Sequence, residues 1–475
     1  MADVLKREFD LLALRISMDF DGESPAVRVA LQGSEKGQRG IIAEWSIDAE
    51  TIGIPERLER SSRHYEGYPF SFPADILGQI GQAIAASGYQ GRPLWLHLAK
   101  PLGYLNLVPW EQLLQPALDL PILRLPDFLA NPPRESLDRF EVALCGSMPA
   151  AKSQFTAADH LIRITGLLLE TVSRRTTVHI FSDAELYDEL KHRVQDNGFA
   201  NVQVHNPALA AAFGSADRQY GLSQTPGRVQ NPWLLWMRDA LSGRGVDMVQ
   251  FLAHGYLSRD SGALALAESP VQNLDRRIAR FVDAPELLAF LTQTGAWCAA
   301  FSSPEQNYSE MGLRLLADTV AQLRPGPVLH HEIRLDYNGA ALADAYRFLF
   351  GQGEHPPPKS LGLLMYCHPS LFEPRPAATR SIGFQVLAAA PALSAEDAIS
   401  AAYADAEFVP SWVGSSQRYI EQRRRDVERM RRAEDSGDPD SGRERDAQAQ
   451  IISDTLEEIE VELVNVLPNK RMSGR

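Results

Sequence analysis

The sequence predicts an α/β protein: a doubly wound, mostly parallel sheet, preceded by an α+β portion and followed by a charged helical tail. Three observations carry that expectation. From residue 140 onward, short apolar runs alternate with amphipathic stretches, as strands covered by helices require. Before that point, strand-like runs follow one another across tight polar turns. Beyond residue 375 the alternation stops and charged residues accumulate.

In the amino-terminal portion LALRISMDF, VRVALQ and GIIAEWSI are short, rich in branched apolar residues and separated by the turn-forming GES and SEKGQRG, so they read as strands. FPADILGQIGQAIAASG spaces its apolar residues as a helix does. PLWLHLA leads through PLGYLNLVPWEQLL to PILRLP, and NPPRES makes a joint at 131–136. In the main domain FEVALCGS, TVHIF, VDMVQFLA, AWCAAFS, GPVLHHEI and LGLLMYC read as strands. Between them HLIRITGLLLETV, DAELYDELKHRV, NPWLLWMRDALSG, DAPELLAFLTQ, GLRLLADTVAQL and AALADAYRFLFG read as helices, which supply the long connections that parallel strands need. In the tail, SAEDAISAAYADAEF, SSQRYIEQRRRDVERMRRAED and IISDTLEEIEVELVNVL have helical spacing, and the stretch near 434–448 is a flexible linker without apolar residues. The resulting boundaries are an α+β portion at 1–90, an α/β domain at 91–375 and a helical tail at 376–475.

The 475 residues, 44% of them apolar, are enough to bury a large core. With 47 basic and 61 acidic residues the net charge is -14, which disfavours attraction to nucleic acid or to anionic membranes and leaves proteins, as substrate or partners, the expected class. The oligomeric state is not encoded in any of these features. The RRRDVERMRR run reads as a solvated helix face. Cys145, Cys298 and Cys367 are odd in number, far apart and outside any CxxC pair, as in a reducing compartment. The opening MADVLKREFDLLALRISM has charges where a signal peptide needs an apolar core, and no run approaches the ~18 apolar residues of a membrane span. A cytoplasmic protein is expected.

In an open parallel sheet, ligands bind beyond the carboxyl ends of the strands. His254 occupies such a place, after the run Met248, Val249, Phe251, Leu252, Ala253 and before Gly255. Downstream of it lies Cys298, in GAWCAAFSSPE. A cysteine beside a histidine forms its thiolate near neutral pH and is a strong nucleophile.

The order of these blocks resembles the CHAT domains, caspase-like cysteine peptidases of bacterial and other signalling and conflict systems. LNLVPWEQLL at 105–114 is similar to the family's proline-tryptophan-glutamate phrase, FEVALCGS to the first strand of its sheet and VDMVQFLAHG to its histidine block. GLRLLADTVAQL followed by GPVLHHEI is similar to what comes after its nucleophile. The resemblance spans roughly residues 90–370, and the order of the blocks carries more of it than any one motif. It implies a caspase-like fold and a peptidase that cleaves a protein substrate, with His254 as base and a cysteine at the end of the next strand as nucleophile; no cofactor or metal is expected. The alternative it implies is a catalytically inactive scaffold or regulatory binding module.

Counting strand residues leaves two registers open for GAWCAAFSSPE. If Cys298 ended the strand, the strand would be only Ala296 and Trp297. If the strand runs from Ala296 to Phe301, its end falls at Ser302 or Ser303, and Cys298 lies on the order of 15 Å back along it. The candidate catalytic residues are therefore His254, Cys298 and Ser303, with Ser302 beside the last. Asp247, Asp260 and Glu305 are near in sequence, but none is placed to orient His254.

His330 and His331 end a strand, and alternation sends them to opposite faces, which argues against one shared metal. Cys367 with His368 reads as packing and loop anchoring, and Asp336 with Asn338 as a turn. No phosphate-binding glycine motif is present, so nucleotide binding has no support.

Overall fold

The computed structural model describes residues 11–367 and 369, except 20–24, 36–37, 55–69, 90–91, 100–101, 103, 126–138, 150–156, 214–228, 242–244, 259–260, 272–278, 305–309, 325 and 352–353. The predicted tail, with its linker, lies outside the described residues. The fold is α/β, organised on one mixed, mostly parallel sheet of 14 strands.

The chain begins with an antiparallel meander, β1 (Leu11–Asp19), β2 (Ala26–Glu35) and β3 (Gln38–Asp48). After α1 (Ala49–Ile52) and α2 (Ala74–Ala86), β4 (Leu94–Ala99) returns parallel to β1. Then α3 (Trp110–Leu118) leads to β5 (Ile122–Arg124), parallel to β4. Alternation in β1 points Leu12, Leu14 and Ile16 into a core with Ile80 and Ile84 of α2 and Trp110 and Leu114 of α3, while Arg15 faces solvent. The boundary drawn at residue 90 falls between α2 and β4. The sheet continues across it, because β1 and β4 pair from Leu12↔Leu94 to Ser17↔Ala99.

The rest of the chain alternates strand and helix as the sequence predicts. The elements are β6 (Arg139–Ser147), α4 (Ala157–Thr171), β7 (Arg175–Ser182), α5 (Ala184–Asp196), β8 (Val202–Val204), α6 (Pro232–Ala240) and β9 (Met248–Ser258). They continue with β10 (Ser261–Ala267), β11 (Ala279–Asp283), α7 (Ala284–Gln293), β12 (Cys298–Ser303), α8 (Glu310–Leu323), β13 (Val328–Glu332), α9 (Ala340–Phe350) and β14 (Leu363–Tyr366). Side-chain carboxylates or amides start several of the helices: Asp183 accepts from Leu186 N, Asn231 from Trp233 N and Asp283 from Glu286 N.

Across the sheet the order is β3-β2-β1-β4-β5-β14-β13-β12-β9-β6-β7-β8, with β10 and β11 added as an antiparallel extension of β9. β8, β7, β6, β9, β12 and β13 are parallel. Both faces of this region are covered. Val249, Phe251, Ala299 and Phe301 pack with α6, α7 and α8, whereas Met248, Leu252, Cys298 and Ala300 pack with α4 and α9.

β14 departs from the common direction and runs antiparallel to β13. The segment after α9 returns to the carboxyl end of β13, where Glu332 N donates to Gly362 O at 2.8 Å, so the chain enters β14 from that edge. β14 then meets β5 at the single pairing Tyr366↔Arg124. A buried polar group reinforces this narrow seam: Arg124 donates to both carboxylate oxygens of Glu111 (2.7 and 3.0 Å) and to Asp318 Oδ1 (2.9 Å), which also accepts from Tyr366 (2.8 Å). Among the described residues, no helix is long and apolar enough to cross a membrane.

Candidate functional site

Parallel register decides between the two placements of GAWCAAFSSPE. Cys298 is the first residue of β12 and lies level with Met248, the first residue of β9. His254 is six residues further along β9, on the order of 20 Å at the usual rise per residue. The structure does not bring Cys298 to His254, so the dyad of those two residues is corrected. Burial explains the chemistry of the thiol as well as its position. Cys298 is wholly enclosed, and that burial pushes its pKa well above that of an ordinary cysteine. β12 ends at Ser303, as the second register requires.

The two serines at that end point to opposite faces. Ser303 follows Phe301 toward α8 and donates its hydroxyl to the backbone oxygen of His331 (3.3 Å). Ser302 follows Ala300 toward α4 and α9, level with Leu252 of β9 and with His331 of β13. His254, two residues beyond Leu252, shares the face of Ser302 by the alternation of β9. Burial lowers the His254 pKa to about 4, so its ring is neutral at pH 7.

A chain of polar side chains runs across this face. Tyr346 on α9 donates to Gln250 Oε1, and Gln250 Nε2 donates to Ser302 Oγ at 2.9 Å. Ser302 Oγ lies 3.4 Å from His331 Nδ1, and His331 Nε2 lies 3.1 Å from Asp336 Oδ2. Because Ser302 accepts from Gln250, its own proton is free to point at His331 Nδ1, which leaves His331 Nε2–H for Asp336. Asp336 also accepts from the backbone N–H groups of Ala341 and Leu342 at the start of α9 (3.1 and 2.9 Å). These bonds, with the His331 contact, hold its carboxyl below the usual carboxylate range against the opposing effect of burial.

Asp336 was expected to make only a turn, and it does more: it fastens His331 to a helix start. His160 on α4 was not singled out from the sequence. It is buried near this chain, and burial, then the Arg163 cation and His331, lower its pKa to about 4.

The other candidates fall elsewhere. Asp247 precedes β9 at the opposite edge from His254 and accepts from Glu141 N (2.7 Å). His330 and His331 project to opposite faces, and Glu332 accepts from Gln112 (3.0 Å) and Arg314 (3.4 Å) on the α3 and α8 side. Asp183 caps α5, Asn338 accepts from Ala340 N (3.1 Å) in the expected turn before α9, and Cys367 is buried. Asp260, Glu305 and His368 lie outside the described residues. Among the described residues, no group of three His, Cys, Asp or Glu side chains is placed to hold a metal ion. The proline-tryptophan-glutamate phrase is structural: Trp110 Nε1 donates to Leu105 O (2.7 Å) and Glu111 anchors Arg124.

The edge that carries His254 is backed by an unusually close contact. A Cβ on Gly262 of β10 would lie 2.0 Å from Gly312 O, and one on Gly312 would lie 2.7 Å from the backbone of Tyr256. Only glycines let α8 and the β9–β10 hairpin touch backbone to backbone here. In comparisons with known proteins, no family model matches the chain and no curated protein is significantly similar to it.

Proposed function

We propose that the chain is a CHAT-like protein of a bacterial signalling or defence system that recognises a protein partner at the carboxyl edge of its parallel strands, without a cysteine nucleophile. The observation that supports this reading is the register of β12 against β9. It seats Cys298 at the start of its strand and leaves His254 beside serine-bearing strand ends. A cysteine peptidase needs its thiol within hydrogen-bond reach of the base, and a separation on the order of 20 Å forbids that. The net charge of -14 favours a protein partner over a polyanion.

The test has two arms. A thiol-directed electrophile is expected to leave Cys298 unmodified in the native chain and to modify it in a denatured control; rapid native labelling would restore the cysteine reading. In the second arm a photo-crosslinking amino acid replaces Tyr256, which is exposed at the proposed edge and stacks on Phe281 (4.0 Å). Another replaces Arg28, on the solvent face of the amino-terminal meander. Partner adducts from position 256 and none from position 28 are expected, and the reverse pattern sinks the reading.

A further inference from the structure

Next to His254, the strand ends of β9, β12 and β13 bring together the side chains of an acyl-transfer set. We propose that Ser302 is a nucleophile, with His331 as its base, Asp336 orienting that base and Gln250 as the donor toward an oxyanion. The proposal rests on the reading that the carboxyl edge of β9, β12 and β13 is the working edge, and it adds covalent chemistry to it.

Four observations carry it. The Ser302 Oγ to His331 Nδ1 distance is 3.4 Å and the His331 Nε2 to Asp336 Oδ2 distance is 3.1 Å, a nucleophile, base and orienter in line. The first distance is long, as such contacts commonly are without substrate. Second, Ser302 and His331 are level on adjacent parallel strands, so the sheet itself fixes their separation. Third, Asp336 is held by two α9 backbone N–H groups as well as by His331, which sets the ring's orientation. Fourth, Gln250 Nε2 is 2.9 Å from Ser302 Oγ, and Tyr346 fixes that amide by donating to its oxygen. Side-chain amides serve as oxyanion donors when they are pre-oriented in this way.

The chemistry balances without any co-reactant except water. Ser302 Oγ attacks the carbonyl carbon of an ester or amide as its proton passes to His331 Nδ1. The tetrahedral oxyanion takes a hydrogen bond from Gln250. His331 returns the proton to the departing alcohol or amine as the carbon–heteroatom bond breaks, leaving an acyl group on Ser302. Water then attacks the acyl carbon, gives its proton to His331, and releases the carboxylic acid as Ser302 recovers its proton.

Ser302 is fully buried and partly exposed His254 lies on the same face nearer the strand end, so acylation requires the edge at His254 to open to the substrate. That geometry suits an acyl group on a slender or extended segment rather than a bulky one. The shared chemistry is an acyl carbonyl, from either an ester or a peptide bond.

The experiment treats the native full-length chain with a small alkyl fluorophosphonate and maps the adduct by peptide mass spectrometry. A single adduct on Ser302 is expected, unchanged in Cys298→Ala and Ser303→Ala, and slowed at least tenfold in Asp336→Asn. Turnover of p-nitrophenyl acetate or of a peptide p-nitroanilide is expected to fall in parallel. Which of the two is turned over separates ester from amide substrates. No adduct on the folded wild-type chain, an adduct elsewhere, or turnover of neither substrate overturns the proposal and makes the set a structural network. Because the mapping is done on wild type, a misfolded variant cannot decide the matter. An unlabelled chain that still crosslinks a partner through position 256 sinks the acyl-transfer site alone. A labelled chain without such adducts sinks the partner reading alone.

Discussion

In the amino half of the sheet, β1 to β3 press one face against α2 and α3 and turn Arg15, Arg28 and Glu44 to solvent. In the carboxyl half, β9, β12 and β13 are covered on both faces, and Gln250, Ser302 and His331 are buried among apolar neighbours. The contrast shows what each half can do with polar groups. On an open face a charge costs little and is screened. Between two helical layers every polar group needs a partner, so those that remain are tied into chains with fixed geometry. Chemistry that depends on distance belongs in the second setting, and the candidate site is there.

Three substitutions probe the contrast. The largest effect is expected at the seam between the halves. Arg124→Ala leaves Glu111 and Asp318 buried without their cation, and urea denaturation should show a loss of about 3–5 kcal/mol. A loss below ~1 kcal/mol would mean that packing alone joins the halves.

An intermediate effect is expected at Glu286 in the covered half, which accepts from the backbone N–H groups of Gln230 (2.7 Å) and Asn231 (2.6 Å). Burial raises its pKa from 4.5 to about 7 despite those bonds, which favour the charged form. The folded state therefore prefers the protonated carboxyl. Its contribution is fully present below pH 4.5 and is lost as pH rises through about 7. Glu286→Gln should flatten that decline, making the variant more stable than wild type at pH 8 by on the order of 1–3 kcal/mol, read from melting curves at pH 5 and pH 8. Parallel pH profiles for the two proteins would contradict it.

The smallest effect belongs to the open face. Arg28 pairs with Asp19 (2.6 Å) and Glu44 (3.6 Å) while half exposed, and Arg28→Ala should cost under about 1 kcal/mol, less still in high salt. A cost matching that at Arg124 would erase the distinction between the halves.

The same contrast accounts for what the sequence made legible. β6, β9 and β12 were readable because burial on both faces demands unbroken apolar runs, and the amphipathic helices between them gave the parallel arrangement. β10 is hard to read because four of the seven residues of SGALALA are glycine or alanine, weak strand formers, and none is β-branched or aromatic. So is β8, because its three residues carry no period. The reversed direction of β14 was illegible for another reason: LLMY looks the same pointing either way, and the returning segment after α9 sets its direction. Strand counting puts the end at Ser302 or Ser303, and β12 ends at Ser303, although it starts at Cys298 rather than Ala296. The pairing of Ser302 with His331, however, joins residues 29 apart through cross-strand register, which no local pattern encodes. The available signal is a histidine at a strand end with an aspartate five residues later.

The glycine contact between α8 and the β9–β10 hairpin has a mechanical consequence. α8 touches the hairpin at Gly312 and reaches the Arg124 seam at Asp318, about 9 Å further along one continuous helix. With no side chain cushioning the near end, the helix acts as a stiff strut. A displacement of the hairpin would therefore pass along α8 to the joint between the two halves of the sheet.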